Sequence, residues 1–346
     1  MLTTLIMLLT MGVAAPSSAA VGDETQRRHH HHHGHHGHHG HDGHDGHDGH
    51  DARSRRPVAG LVVTESTRGF TETYDALLGA LEANPAISVV AEVDHQVNAR
   101  RAGLRLPPTR EVFFGNPNLG TPLMQADQVA GIDLPQKMLV WRNRGRVFVA
   151  YNATEYLAAR HDVDGVATLD TIAGALANLA SVATGVDVDE IGDAGRGHRA
   201  RWRRHRAHRL LRRIEWRPGL RSVESQYSVD DTVERLTAAI DAAPPSVVFT
   251  LDHQANAASV GLELRPTTLV VFGNPALGTP LMQRRRTIGI DLPQKFLVHE
   301  DADGDVFITW NAPRFIARRH RVRGERDTLR TIGTALRNLA TAAAGT

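Results

Sequence analysis

Read for its apolar and polar positions, the chain lays out a short strand, a helix, a series of strands and a closing helix. Residues 62–65 (VVTE) are strand-forming, and residues 71–84 place Tyr74, Leu77, Leu78 and Leu81 at helical spacing. Residues 87–93 alternate as a strand does and run into the block DHQVNA. Residues 111–114 (EVFF) are a β-rich run stopped by a Gly-Asn-Pro turn. Residues 138–141 and 146–151 flank Asn143, Arg144 and Gly145 and predict a hairpin, and residues 168–183 form an Ala- and Leu-rich helix. The predicted order β-α-β-β-β-β-α is that of an α+β domain with helices on one face of a mainly antiparallel sheet.

That order occurs twice. VFFGNPNLGTPLMQ at 112–125 matches VVFGNPALGTPLMQ at 270–283 in 12 of 14 positions, and GIDLPQKMLV at 131–140 matches GIDLPQKFLV at 289–298 in 9 of 10. DHQVNA at 94–99 answers DHQANA at 252–257, and all three blocks are displaced by 158 residues. Asn152 answers Asn311 and His161 answers His320, now 159 apart. A tandem duplication follows. An internal duplication stands in for a homodimer, so the expected state is a monomeric pseudo-dimer.

At 346 residues the chain has room for two domains with cores of their own. It reads as a leader (1–20), a polar segment (21–57), a first domain (58–184), an arginine-rich linker (185–220) and a second domain (221–346). The leader is apolar from Leu2 to Ala15 and then turns small and polar, too short for a bilayer, which takes about 20 apolar residues. It has the form of a secretory signal, although no Lys or Arg precedes the apolar run. A secreted, periplasmic or cell-envelope protein is expected. There is no cysteine, which excludes disulfides and thiolate chemistry.

Two segments lie outside the repeats. The first carries 13 of the 21 histidines, His29, His30, His31, His32, His33, His35, His36, His38, His39, His41, His44, His47 and His50, interleaved with Gly and Asp. Such a tract is expected to be disordered and to bind zinc, nickel or copper weakly at each site. The second holds eleven arginines between Arg196 and Arg221. It reads as a solvated linker without a partner, or as a contact for an anionic envelope polymer or lipid surface, and export disfavours nucleic acid as its partner.

The repeats carry the remaining candidate chemistry. Of 40 basic residues only Lys137 and Lys295 are lysine, each at the end of GIDLPQK and each at the start of a predicted strand. Lysine is a compact point charge that can change protonation when buried, whereas arginine is planar, forked and always charged. Two matched lysines therefore point to a site that needs the smaller ammonium, paired with Asp133 or Asp291 or with a ligand anion. A partly buried ion pair is the structural alternative. In the Gly-Asn-Pro…Gly-Thr-Pro loop, Thr121 ahead of Pro122 has the form of a helix N-cap, so the loop would offer free N–H groups to a carboxylate or phosphate. Turn chemistry alone also accounts for these residue types. Asp94 and His95, placed along a strand, would face opposite sides, so His95 would work with residues of another block.

The candidate ligand-binding set is His95, Asn98, Asn116, Gly120, Thr121, Gln125, Asp133 and Lys137, with counterparts His253, Asn256, Asn274, Gly278, Thr279, Gln283, Asp291 and Lys295. No nucleophile triad, P-loop, HExxH or EF-hand pattern is present, and no catalytic role is assigned.

The blocks DHQ-x-NA, G-L-x-L, FGNP-x-LGTPLMQ and GIDLPQK-x-LV resemble the DUF302 family, a domain of unknown function, over both repeats. Pro107 and Arg110 of the first copy depart mildly from the pattern. The resemblance implies a β-α-β4-α fold similar to the TATA-binding-protein-like class and brings no established reaction. The expected function is a secreted tandem protein binding a small ligand, anions included, with one pocket per repeat. The alternatives are an enzyme using Lys and His as acid–base groups, and an extracellular metal buffer with the domains as scaffold.

Overall fold

A computed structural model describes residues 58–188 and 219–346. The leader, the histidine tract and most of the arginine-rich linker lie outside the described residues. In the first repeat β1 (Leu61–Ser66), β2 (Ser88–Asp94), β3 (Thr109–Gly115), β4 (Gln136–Asn143) and β5 (Arg146–Asn152) form an antiparallel sheet ordered β1-β5-β4-β3-β2. The second repeats the order as β6-β10-β9-β8-β7, from β6 (Leu220–Ser225), β7 (Ser246–Asp252), β8 (Thr267–Gly273), β9 (Gln294–Glu300) and β10 (Val306–Asn311). The two copies are thus tandem α+β units, as the strand and helix patterns predict.

The helices of the first copy are α1 (Phe70–Glu82), α2 (His95–Arg101), α3 (Pro117–Ala126), α4 (Thr154–His161) and α5 (Thr168–Thr184). Those of the second are α6 (Val229–Asp241), α7 (His253–Ala258), α8 (Pro275–Arg284), α9 (Pro313–Arg319) and α10 (Arg326–Ala344). Short 3-10 helices, Gln128–Asp133 and Arg286–Asp291, precede β4 and β9. The long helices bury their apolar stripes on one sheet face: Tyr74, Leu77 and Leu81 of α1 and Leu176, Leu179 and Ala180 of α5 pack on Val112, Phe114, Met138 and Val140. The predicted hairpin forms between β4 and β5, with Arg144 (φ 49°) and Gly145 (φ 80°) both left-handed, as a two-residue turn of the I′ type requires.

The other face of each sheet is where expectation and structure part. Besides the core that each copy builds under its own helices, the two copies bury the other faces of their sheets against one another. Val93, Phe113 and Ile132 of the first copy share a cluster with Leu269, Val271 and Leu297 of the second, and the rings of Phe113 and Phe249 meet edge-on at 5.2 Å. The 3-10 segments sit at this interface: a Cβ on Gly131 would come 3.1 Å from Leu297, and one on Gly289 3.0 Å from Leu139. Strands covered on both faces read as unbroken apolar runs, which is why KMLVW and KFLV give no alternation to separate the two sides.

Two local expectations are also corrected. Asp94 does not share a strand with His95; it ends β2 and caps α2, accepting from Val97 N at 2.8 Å. Thr121 and Pro122 do not start a helix but lie inside α3, whose N-cap is Asn116.

Candidate functional site

Lys137 is the second residue of β4 and Lys295 the second of β9, and their side chains point inward, 3% and 2% exposed. Strand alternation forces this: Met138 and Val140 face the helices, so Lys137 and Leu139 must face the other copy. Lys137 Nζ has no hydrogen-bond partner, and Lys295 Nζ reaches only the carbonyl of Asp291, at 3.5 Å. The two ammonium groups lie close enough to feel one another's charge, and both act on Glu111. Burial, followed by the charge of Lys137, pulls the Lys295 ammonium down to about 7.

The carboxylates expected to pair with the lysines are held by arginine. Asp133 accepts from Arg160 at 2.7 Å and pairs with His161 Nε2 at 2.9 Å. Asp291 accepts from Arg319 at 2.9 and 3.1 Å and pairs with His320 Nε2 at 2.7 Å. Burial pushes both carboxyls up, but these partners outweigh it and leave them well below the ordinary carboxylate range. Each arginine also crosses to the other copy: Arg160 donates to Asn311 Oδ1, and Arg319 donates to Asn152 Oδ1 and lies over the Tyr156 ring at 3.9 Å. The matched pairs Asn152/Asn311 and His161/His320 thus belong to crossed networks. Arg160 and Arg319 share the same 159-residue displacement, the signal that could have found them.

A third carboxyl was missed altogether. Glu111 on β3 is fully buried on the lysine face, its Oε2 lies 3.7 Å from His95 Nε2, and neither of its oxygens has a hydrogen-bond partner. Burial raises its pKa against the opposing pull of His95 and both lysines. Its counterpart is Leu269, so the centre is asymmetric. Burial of His253, the counterpart of His95, holds it down to about 4, against the opposing pull of the nearby Gly131 backbone.

The remaining candidates have other work. Asn116 and Asn274 cap α3 and α8 through Asn118 N (2.9 Å) and Ala276 N (3.0 Å). The N–H groups of Leu119 and Gly120 are bonded to Asn116 O, and Pro117 has none, so the first turn offers no free donor to an anion; α8 repeats this. Gly120 and Gly278 pack α3 and α8 close to Leu134 and Leu292. Gln125 donates to Glu263 O at 2.8 Å and Gln283 to Arg105 O at 2.7 Å, each a clamp onto the other copy. Asn98 and Asn256 are half-buried on α2 and α7, and Thr121 and Thr279 are buried with hydroxyls lacking a protein partner. Among the described residues no group of three or more His, Asp or Glu side chains could hold a metal ion.

Comparison with known proteins places these features. A family described as "Domain of unknown function DUF302" matches residues 62–179 and 221–340. "Fluoride-specific ion channel FluC 1" of Brucella suis biovar 1 (strain 1330) is 48% identical over 102 residues, 30% of this chain and 40% of that protein. Its namesake in Brucella abortus biovar 1 (strain 9-941) is also 48% identical over 102 residues, 30% of this chain and 38% of that protein. The chain thus spans about two fifths of the length of these curated relatives. No helix among the described residues is long and apolar enough to cross a membrane. The crystal structure of an uncharacterized conserved DUF302 protein from Bacillus stearothermophilus aligns with a TM-score of 0.34 at 17% identity, covering 36% of this chain and 98% of that one.

Proposed function

This chain belongs to the DUF302 family, with two copies in tandem, and we propose from that premise that the centre the copies share binds a small anion. The observation that carries this reading is the buried lysine pair, with Lys137 Nζ lacking any hydrogen-bond partner while Asp133 and Asp291 are engaged by arginine and histidine. A buried ammonium without a hydrogen-bond partner is costly, and an anion between the lysines supplies an acceptor that Glu111, Asp133 and Asp291 do not. The near-complete burial of Lys137, Lys295 and Glu111 favours a ligand of one or a few atoms, a halide or small oxyanion, over an organic molecule. This also accounts for lysine in a chain that otherwise uses arginine: two compact ammoniums can close around a small ion where two planar forks cannot. The printed name of the Brucella relatives makes fluoride the first anion to try.

In the same proposal, the thirteen histidines between His29 and His50 add weak binding of zinc, nickel or copper, and the leader takes the protein out of the cytoplasm. The acid–base enzyme reading keeps one support of its own, a Lys295 poised near 7 beside a buried carboxyl.

The test is thermal unfolding of the full chain in fluoride, chloride, nitrate or formate at constant ionic strength. One of them should raise the midpoint saturably, with about 2.7 kcal/mol of stabilisation at a hundredfold excess over Kd. The double variant Lys137→Met/Lys295→Met should lose the response. No response in the wild type, or an equal one in the variant, refutes the proposal.

A further inference from the structure

Away from the lysine centre, α9 and the start of α10 frame a cleft of about 650 Å³ rimmed by Arg314, Arg318, Arg321, Arg323 and Arg326. Its other lining residues are Ala317, Val322 and Leu329. Five guanidinium groups around one cleft repel one another, and two nearby carboxylates are engaged elsewhere. Glu325 pairs with Arg284 at 2.8 Å and Asp327 with Arg330 at 2.7 Å. Among the described residues, no hydrogen bond or ion pair engages the side chains of Arg314, Arg318, Arg323 or Arg326.

The first copy gives the control. The same fold positions carry Glu155 for Arg314, Ala159 for Arg318, Asp162 for Arg321 and Asp164 for Arg323. Asp162 and Arg321 both take the left-handed conformation, with φ of 54° and 56°, so the backbone is conserved while the charge is reversed. Neither helix stability nor the sheet contacts require the arginines, because the first copy forms the same turn with acids.

We propose that this cleft on the second copy is a binding site for a soluble small molecule carrying two or more phosphate groups. Guanidinium forks match phosphate oxygens in bidentate pairs, and five such forks exceed what the oxygens of a single phosphate can pair. The volume is that of a small-molecule site, and the alanine, valine and leucine side chains offer an apolar surface for the rest of the ligand.

The experiment is calorimetric titration of the full chain with inorganic phosphate, pyrophosphate and tripolyphosphate, using wild type and the exposed double variant Arg318→Ala/Arg323→Ala. Saturable 1:1 binding of tripolyphosphate, tighter than phosphate and weakened about tenfold or more in the variant, is expected. Equal binding by wild type and variant would assign the phosphate to the arginines between Arg196 and Arg221 and overturn the proposal. So would binding only to anionic phospholipid vesicles, or no binding. The unfolding midpoint of the variant, expected to equal that of wild type, separates lost binding from lost folding.

Discussion

Glu111 of β3 occupies in the first copy the place that Leu269 of β8 occupies in the second, and each lies opposite a leucine of the neighbouring strand, Leu139 and Leu297. Two equivalent, fully buried positions thus differ by one carboxyl without hydrogen bonds. Burying such a group costs about 1–3 kcal/mol. Glu111→Leu should therefore stabilise the protein by about that amount near neutral pH, as read by denaturant unfolding. It should also tighten anion binding, since it removes a competing negative charge from the lysine pair.

The lysine centre predicts a specific pH profile. Lys295 titrates near 7 in the folded chain against an ordinary 10.5, so between those values the unfolded chain holds a proton that the folded one has released. Stability should then rise from pH 7 towards pH 10, by up to about 1.4 kcal/mol per unit, and this rise should vanish in Lys295→Met. Anion affinity should run the opposite way, strengthening as pH falls through 7 with uptake of a proton. On the acid side His253, held near 4 against 6.5, contributes stability above pH 6.5 that is lost as pH falls towards 4.

Breaking a crossed network should be far worse than removing it whole. Asp291→Ala leaves Arg319 buried without its carboxylate and is expected to cost about 3–5 kcal/mol. Pairing it with Arg319→Met should recover part of that loss, a coupling that a double-mutant cycle measures directly.

How far the sequence revealed this protein depends on the kind of feature. The strands and long helices were legible because their apolar spacing survives in both copies, as in Tyr74, Leu77 and Leu81 against Val233, Leu236 and Ile240. The shorter helices α2, α3 and α4 were not, since proline, glycine and polar residues mask them and capping by Asp94 and Asn116 decides where the first two start. The two matched lysines were legible as a pair, but their meeting in one centre was not. That meeting depends on two inner sheet faces closing on one another, which no spacing within either copy encodes. Glu111 escaped notice because it breaks the repeat instead of obeying it.

Two glycines hold the tightest corners. Gly60 (φ 65°) and Gly219 (φ 73°) lead into β1 and β6, and a Cβ there would overlap Tyr156 and Phe315 at 2.4 and 2.0 Å. Those rings sit under the buried guanidiniums of Arg319 and Arg160. Gly60→Ala or Gly219→Ala should cost roughly 2–5 kcal/mol, from the left-handed backbone and overpacking together. Differential scanning calorimetry should show the loss as a lower midpoint of a single transition.

The reach of Arg160 to Asn311 and of Arg319 to Asn152 means that neither copy holds all the groups its own buried polar network needs. Cutting the backbone in the linker would leave two fragments that must find each other in order to fold. A chain with one copy would have to achieve by self-association what this one secures by covalent tethering.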